Sequence, residues 1–156
     1  MRISILAVGT RMQRWVDDGV ENYTRRLPRH IRVELAEIPG GTRTAKGDPA
    51  AAIKWEAEQL LRRTRDADRV IALDQKGRQW TTEELAEQMR DWLAREPRVV
   101  LMIGGADGLG DLCRQRADAV WSLSSLTLPH GLVRVVVAEQ LYRAWTILEG
   151  HPYHRR

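Results

Sequence analysis

The chain of 156 residues is long enough for one domain with a substantial core, and its 43% hydrophobic and 29% charged residues are typical of a globular protein. The net charge is +4, and Lys46, Lys54 and Lys76 are the only lysines. Arginine suits contacts with phosphate and bases, so this charge favours a polyanionic partner, although genomic base composition accounts for it equally well.

A single cysteine, Cys113, excludes an internal disulfide and predicts a small buried residue in a reducing compartment.

The sequence shows no targeting signal for a compartment other than the cytoplasm and no residue spacing typical of metal ligands. The first ten residues form a short apolar run without a basic leader or a cleavage site, so we interpret them as a first strand. Apolar stretches are too short to cross a bilayer. The four histidines have no Cys or Glu partners at the spacing of zinc ligands. We expect a cytoplasmic protein with no membrane contact and no metal.

Strand and helix patterns alternate along the chain, which is typical of a parallel α/β sheet. Buried or alternating apolar runs predict strands at residues 2–8, 31–38, 69–73, 98–103 and 120–123. Apolar residues at helical spacing predict helices at residues 12–26, 49–65, from 81 or 82 onward, 112–117 and 132–148. We expect one α/β domain over residues 1–156, with its ligand at the carboxyl ends of the strands.

Local signals mark two helix starts and one loop. Asp48 is the predicted N-cap of the second helix, with Pro49 in its first turn. Thr81, followed by Glu84, predicts a capping box at the third helix. The glycine-rich loop at residues 40–47, which contains Arg43 and Lys46, either touches RNA phosphates or is a solvated loop.

Three strand ends carry residues that favour a ligand site, namely LDQKG at 73–77, IGGADGLG at 103–110 and LSSLTLPH at 123–130. Gly104 and Gly105 permit a positive φ or the close approach of a ligand, or they form a plain tight turn. Their spacing matches neither a dinucleotide fingerprint nor a phosphate loop, which argues against an NAD enzyme and an ATPase. Leu126 and Leu128 suit a flat adenine, or they pack as the exit of a core strand.

The last predicted helix, at residues 132–148, is apolar around most of its circumference. Such a helix is either central in the domain or covered by a partner, and we favour a dimer interface. Among its charged exceptions, Glu139 is expected to find an arginine or a backbone donor. The tail that follows, HPYHRR, is disordered by default, but its aromatic, imidazole and guanidinium groups also suit an unpaired RNA base.

Longer motifs cover the whole chain: LAVGT, EIPGG, IALDQKG, LMIGGADGL, WSLSSLTLPHGLVRVVVAEQLYRAW and HPYHR. On these motifs the chain resembles the bacterial ribosomal large-subunit methyltransferase H family, SPOUT-class enzymes that methylate N3 of a pseudouridine in 23S ribosomal RNA. The resemblance implies a parallel sheet flanked by helices with a C-terminal trefoil knot. It also implies S-adenosylmethionine as the cofactor, a homodimer, and ribosomal RNA within the assembled ribosome as the substrate.

The resemblance also assigns individual residues. The cofactor would contact Leu73, Gly104, Gly105, Leu123, Ser124, Ser125, Leu126, Thr127 and Leu128. The target base would lie near His130, Arg143, Tyr153 and Arg155, with the tail helping from the partner subunit. The chain departs from the family pattern in having Ala106-Asp107 where Pro-Glu is common and Gly131 where proline is common. The first departure shortens a carboxylate near the cofactor.

Two other functions stay open. A non-catalytic ribosome-binding protein with the same fold would associate with ribosomes but would have no affinity for the cofactor. A related knotted enzyme would methylate tRNA. Because we see no separate RNA-binding domain in the chain, the substrate must supply much of the recognition by its shape, which favours a ribosomal particle over free tRNA.

Overall fold

The computed structural model describes residues 1–42 and 47–155, which form a five-stranded parallel sheet with helices on both faces. The strands follow the order β2-β1-β4-β3-β5 across the sheet. Their bounds are β1 Arg2–Val8, β2 Arg32–Ile38, β3 Arg69–Gln79, β4 Arg98–Ile103 and β5 Ala119–Ser122. The helices are α1 Arg14–Thr24, α2 Ala50–Arg62, α3 Thr82–Arg95, α4 Asp111–Arg116 and α5 His130–Leu148, followed by a 3₁₀ turn at Pro152–His154.

Each face of the sheet has its own hydrophobic core, because side chains alternate between the two faces of a strand. On β1, Ile3 and Ile5 join the core that also contains residues of α3 and α5, whereas Leu6 and Val8 join the core beneath α2 and α4. Helix α1 packs on α5 in the first layer. This arrangement confirms the predicted α/β class with a parallel sheet, whereas the trefoil knot stays a prediction.

Helix α5 is the central helix of its layer. It packs against both α1 and α3, and Val137, Leu141 and Ala144 are completely buried within the chain. Leu132 and Val136 remain half-exposed. Of the two explanations for its apolar circumference, the central position is therefore confirmed for most of the helix, and the dimer interface stays a prediction for the half-exposed side chains.

The buried guanidinium of Arg134 attaches α5 to the ends of β1 and β2. Arg134 is completely buried and donates hydrogen bonds to a carboxylate oxygen of Glu37 at 2.7 Å and to the carbonyl oxygen of Gly9 at 2.8 Å. Gly9 has a φ of +114°, so the chain turns sharply after β1 and presents this carbonyl to the arginine. The first turns of α5 are thereby fixed at the carboxyl edge of the sheet.

Strand β3 differs most from its predicted bounds. It continues to Gln79 instead of ending at residue 73, because it bulges after Leu73 and then pairs with β5 a second time. A Cβ atom at Gly77 would lie 2.6 Å from the carbonyl oxygen of Val120, so this second pairing requires glycine there. The polar segment at 73–77 is a bulge inside a long strand and not the end of a short one.

The helix starts agree with the capping signals to within one or two residues. At α3, Thr81 Oγ1 accepts from the Glu84 amide at 3.0 Å and the Glu84 carboxylate accepts from the Thr81 amide at 2.8 Å, which confirms the capping box. Helix α2 begins one residue later than predicted, with Pro49 at the N-cap, while Asp48 Oδ1 accepts from the Ala50 amide at 2.9 Å. The prediction on Arg43 and Lys46 lies outside the described residues.

Cys113 is completely buried between α4 and the sheet, which confirms its predicted packing role. Burial raises the pKa of its thiol from 9.0 to about 11, against a smaller opposite effect of the Arg114 charge. A thiol whose pKa is raised by folding stabilises the fold at low pH, and this contribution is lost as the pH rises towards the folded-state pKa.

We predict that the free energy of unfolding decreases by about 2–3 kcal/mol between roughly pH 9 and pH 11, because in this range the thiol of the unfolded chain loses its proton while the buried thiol keeps it. Urea denaturation at several pH values would measure this, with Cys113→Ala as the control that lacks the titrating group. Equal pH dependence of the wild type and Cys113→Ala would contradict the prediction.

Candidate active site

A cavity of about 650 Å³, a size typical of small-molecule sites, opens beside the bulge of β3 and the carboxyl ends of β4 and β5. All three segments that the sequence singles out contribute to its walls. Eight of the nine residues predicted for the cofactor line it: Leu73, Gly104, Gly105, Leu123, Ser124, Leu126, Thr127 and Leu128. His130 lines it as well, whereas the side chain of Ser125 is exposed outside it.

The walls of this cavity are mostly apolar at its base. Leu73, Ile103 and Trp121 are each less than 10% exposed and belong to the hydrophobic core, so the base of the cavity is rigid. Leu126 is 70% exposed, which is unusual for a leucine on a loop. A cavity with a rigid apolar base and an exposed apolar rim suits a flat ligand. One face of such a ligand would pack on the base, and the other would cover the side chain of Leu126.

The glycine turn after β4 folds back tightly on itself. A Cβ atom at Gly104 would lie 2.5 Å from the carbonyl carbon of Gly108 and 2.6 Å from the amide nitrogen of Leu109. The Gly108 amide donates to the Gly105 carbonyl at 3.1 Å, and Gly108 has a φ of +86°. The glycines therefore form the tight turn that the sequence left open as one alternative, and the close approach of a ligand to them stays a prediction.

A second group of functional candidates surrounds Glu139, which lies in the middle of α5. The guanidinium of Arg143 donates to Glu139 Oε1 with distances of 2.8 Å from Nε and 2.6 Å from Nη2, and the Tyr153 hydroxyl donates to the same oxygen at 3.1 Å. This confirms that Glu139 finds an arginine. We call Glu139, Tyr142, Arg143 and Tyr153 the tail cluster.

The tail cluster holds the C-terminal segment against α5. The ring of Tyr153 lies edge-on to Tyr142 with 4.7 Å between centroids, and Arg143 Cζ lies 4.9 Å from the centroid of Tyr153. The disordered tail expected by default is therefore wrong for residues 151–154, because aromatic contacts and the Glu139 carboxylate order them. Arg155 follows as an exposed residue.

Electrostatics in the tail cluster keep its groups protonated. Burial, followed by the negative charge of Glu139, raises the pKa of the Tyr153 hydroxyl above its ordinary value. The hydrogen bond to Glu139 raises the pKa of the Arg143 guanidinium. Around neutral pH, Tyr153 is therefore a neutral donor and Arg143 a cation.

Known proteins with similar sequences decide the family. A model of the family described as "Predicted SPOUT methyltransferase" matches residues 1–154. The chain belongs to the SPOUT methyltransferase family. A relative from Chromohalobacter salexigens is 51% identical over 155 residues, covering 99% of this chain and 100% of the relative, and one from Hahella chejuensis is 50% identical, covering 99% of each. Both are named ribosomal RNA large subunit methyltransferase H.

A solved structure agrees with the fold alone. The probable methylase family protein from Haemophilus influenzae Rd KW20 superposes with a TM-score of 0.56 at 14% identity, covering 99% of this chain and 70% of that protein. The chain is thus an enzyme, a methyltransferase of the SPOUT class, and its reaction requires a methyl donor.

The four predicted catalytic residues of this methyltransferase fall into two places. His130 begins α5 and lines the cavity, whereas Arg143 lies thirteen residues further along the same helix. At a rise of 1.5 Å per residue, the two are separated by about 20 Å along the helix axis. Tyr153 is attached to Arg143, so one copy of the chain does not bring the tail cluster to its own cavity.

Sequence reasoning missed the role of Gln75 in the β3 bulge. Its Nε2 donates to the carbonyl oxygen of Ser125 at 2.7 Å, and its Oε1 accepts from Thr127 Oγ1 at 3.4 Å. The SPOUT methyltransferase thus uses one amide side chain to connect two walls of the cavity. Gln75 lies in the polar segment after the apolar run of β3, where neighbouring residues give no signal of a contact 50 residues away.

Arg114 connects the walls on the other side of the glycine turn and was missed as well. Its Nη1 donates to Asp74 Oδ2 at 2.6 Å and to the Leu109 carbonyl at 2.9 Å, while Nη2 pairs with Asp111. The hydrogen bond to Asp111, more than the one to Asp74, raises the pKa of the Arg114 guanidinium. The i, i+3 spacing of Asp111 and Arg114 was a local signal, but the contact with Asp74 was not.

Within residues 1–42 and 47–155, no group of three His, Cys, Asp or Glu side chains is arranged to hold a metal ion. Over the same residues, each helix is too short or too polar to cross a membrane.

We predict that Gln75→Ala loosens the loop at residues 123–128, because the Ser125 carbonyl loses its donor. Losing about 1 kcal/mol of hydrogen bonding would raise hydrogen exchange of the loop amides about fivefold. Hydrogen exchange followed by mass spectrometry would measure this.

Gln79→Ala is the matched control, since Gln79 is an exposed glutamine on the same strand. Protection of the loop that is equal in both variants would argue against the bridging role of Gln75.

Proposed function

We propose that the chain transfers the methyl group of S-adenosylmethionine to N3 of a pseudouridine in 23S ribosomal RNA, acting on the assembled ribosome in the cytoplasm. The observation that carries the proposal is the cavity that unites Leu73, the Gly104 turn and the 123–128 loop in a chain of this family. Relatives about 50% identical and named for ribosomal RNA support the substrate. We assign the activity to a single domain, residues 1–156, with the knot of its class.

The residues of the cavity fit S-adenosylmethionine. The adenine would lie between apolar side chains such as Leu73 and Leu128, with backbone groups of the 123–128 loop reading its edge. When bound, this cofactor supplies an electrophilic methyl group on a sulfonium. Gly104 and Gly105 line the cavity, and the bonds of Gln75 and Arg114 keep its walls in place before the ligand binds.

The chain's own residues have to handle the N3 proton and the resulting charge. N3 of the base lies between two carbonyl groups, so it is weakly acidic and becomes anionic when its proton leaves. A guanidinium near the two oxygens, that of Arg143 or Arg155, stabilises this anion. His130 or a water molecule accepts the proton. Tyr153 stacks on the base or orients it.

Homodimerisation follows from the distance along α5. His130 lines the cavity, but the tail cluster lies about 20 Å further along the same helix, so it has to reach the cavity of a second copy. The half-exposed apolar side chains of α5 supply contact area for that second copy. In the proposed dimer, the tail of one subunit completes the site of its partner.

We predict that Arg143→Ala and Arg155→Ala each lower the turnover number about 100-fold, since one donor to a developing anion typically contributes that much. The measurement is single-turnover methyl transfer at saturating cofactor, with Arg95→Ala as a control at an exposed arginine of α3. Wild-type turnover in both variants would make this assignment wrong.

The proposed function itself is tested by methyl transfer. Labelled S-adenosylmethionine would be incubated with assembled ribosomes that lack the modification, with free large subunits and with total tRNA. We expect label only in assembled ribosomes, at one pseudouridine, and labelling about 100-fold slower with Arg155→Ala.

Two results would contradict it. Label in tRNA would favour a knotted tRNA methyltransferase. Absence of label in every RNA, with the protein folded and the cofactor bound, would argue against a ribosomal substrate.

A further inference from the structure

The net positive charge of the chain is concentrated in the connection from α1 to β2. Residues 23–32 contain four arginines and no aspartate or glutamate. Without these four, the 21 remaining lysines and arginines equal the 21 aspartates and glutamates. This short segment alone thus carries a net charge of +4, as much as the whole chain. We call Arg25, Arg26, Arg29 and Arg32 the basic patch.

The fold does not need this much positive charge. All four arginines are exposed, and no carboxylate in the described part of the chain forms an ion pair with them. Positive charge at the end of α1 favours the helix dipole, which accounts for Arg25 and Arg26 but not for Arg29. Arg32 is the register partner of Arg2, and neighbouring like charges disfavour strand pairing.

The basic patch is in direct contact with the tail cluster. Arg26 Cζ lies 5.6 Å from the ring centroids of both Tyr23 and Tyr142. The Tyr142 ring in turn contacts Tyr153, whose hydroxyl shares Glu139 with Arg143. Aromatic and guanidinium groups that suit a base thus adjoin a row of exposed cations that suit the phosphates on either side of it.

We infer that the basic patch binds backbone phosphates of the RNA strand whose base the tail cluster receives. This inference rests on the proposed function and adds the place where the ribosomal RNA backbone is held. Arginine forks pair with two phosphate oxygens at once, and each neutralised phosphate releases counterions. The patch therefore contributes affinity for RNA, whatever its sequence, and orients the strand towards the tail.

The test neutralises the patch and measures ribosome binding against salt. The triple variant Arg25→Gln, Arg29→Gln, Arg32→Gln leaves Arg26 in place because it packs on two tyrosines. The slope of log K against log salt concentration for ribosomes that lack the modification is expected to fall by about two to three. The KM for ribosomes is expected to rise far more than kcat falls, while affinity for S-adenosylmethionine reports that the variant is folded.

Two matched variants distinguish the effect of charge in the basic patch from the effect of charge elsewhere on the surface. Lysine at the same three positions keeps the charge and should keep most of the salt slope. Glutamine at Arg62, Arg63 and Arg95 removes the same charge from exposed arginines of α2 and α3 and should leave the slope within about one of the wild-type value.

Several results would overturn the inference. The first is a salt slope that does not change in the triple variant of the basic patch, and the second is an equal fall of the slope in the Arg62, Arg63 and Arg95 variant. The third is a changed oligomeric state of the patch variant. The fourth is loss of its binding to anionic lipid vesicles without loss of ribosome binding. Failure of the proposed function looks different. A wild type that binds ribosomes through the patch but methylates no RNA would end that proposal and leave this one standing.

Discussion

The buried ion pair between Arg134 and Glu37 is the constraint on which the position of α5 depends. Arg134 is completely buried, and its Nη1 and Nη2 donate to Glu37 and to the carbonyl that Gly9 presents after β1. Removing Glu37 would leave the charge of Arg134 buried without its carboxylate, which in buried pairs costs about 3–5 kcal/mol. Because α5 carries His130 at one end and Arg143 near the other, one interaction fixes both parts of the proposed site.

The polar side chains around the cavity serve mainly to hold its walls. Gln75 joins the β3 bulge to the 123–128 loop, and Arg114 joins the same bulge to the glycine turn. The rest of the lining is largely backbone and apolar side chains, with Lys76 and His130 as further polar groups. A site whose polar groups already have partners needs little reorganisation when its ligand binds, and this preorganisation preserves affinity. Ala106-Asp107, where Pro-Glu is common in the family, lies in the turn between the walls that Gln75 and Arg114 hold.

The other end of α5 has a different character. Glu139 accepts from Arg143 and from Tyr153, so one carboxylate orders both a cation and an aromatic donor. Through Tyr142 this cluster continues to Arg26 and the exposed arginines after α1. The chain therefore presents an apolar cavity at one end of its last helix and a cationic, aromatic surface at the other, as the proposed site between two subunits requires.

The sequence by itself determined whatever depends on neighbouring residues. The bounds of β1 and β4, the capping box at Thr81 and the parallel α/β class follow from continuous apolar runs and short capping spacings, whose free energies are local. Family motifs identified the cavity residues. Only the tertiary structure decided that β3 runs on past Leu73, that Gln75 and Arg114 tie the walls together, and that the tail binds to Glu139. Each of these depends on partners 14 to 50 residues away, because side chains so distant in sequence meet only when the chain has folded.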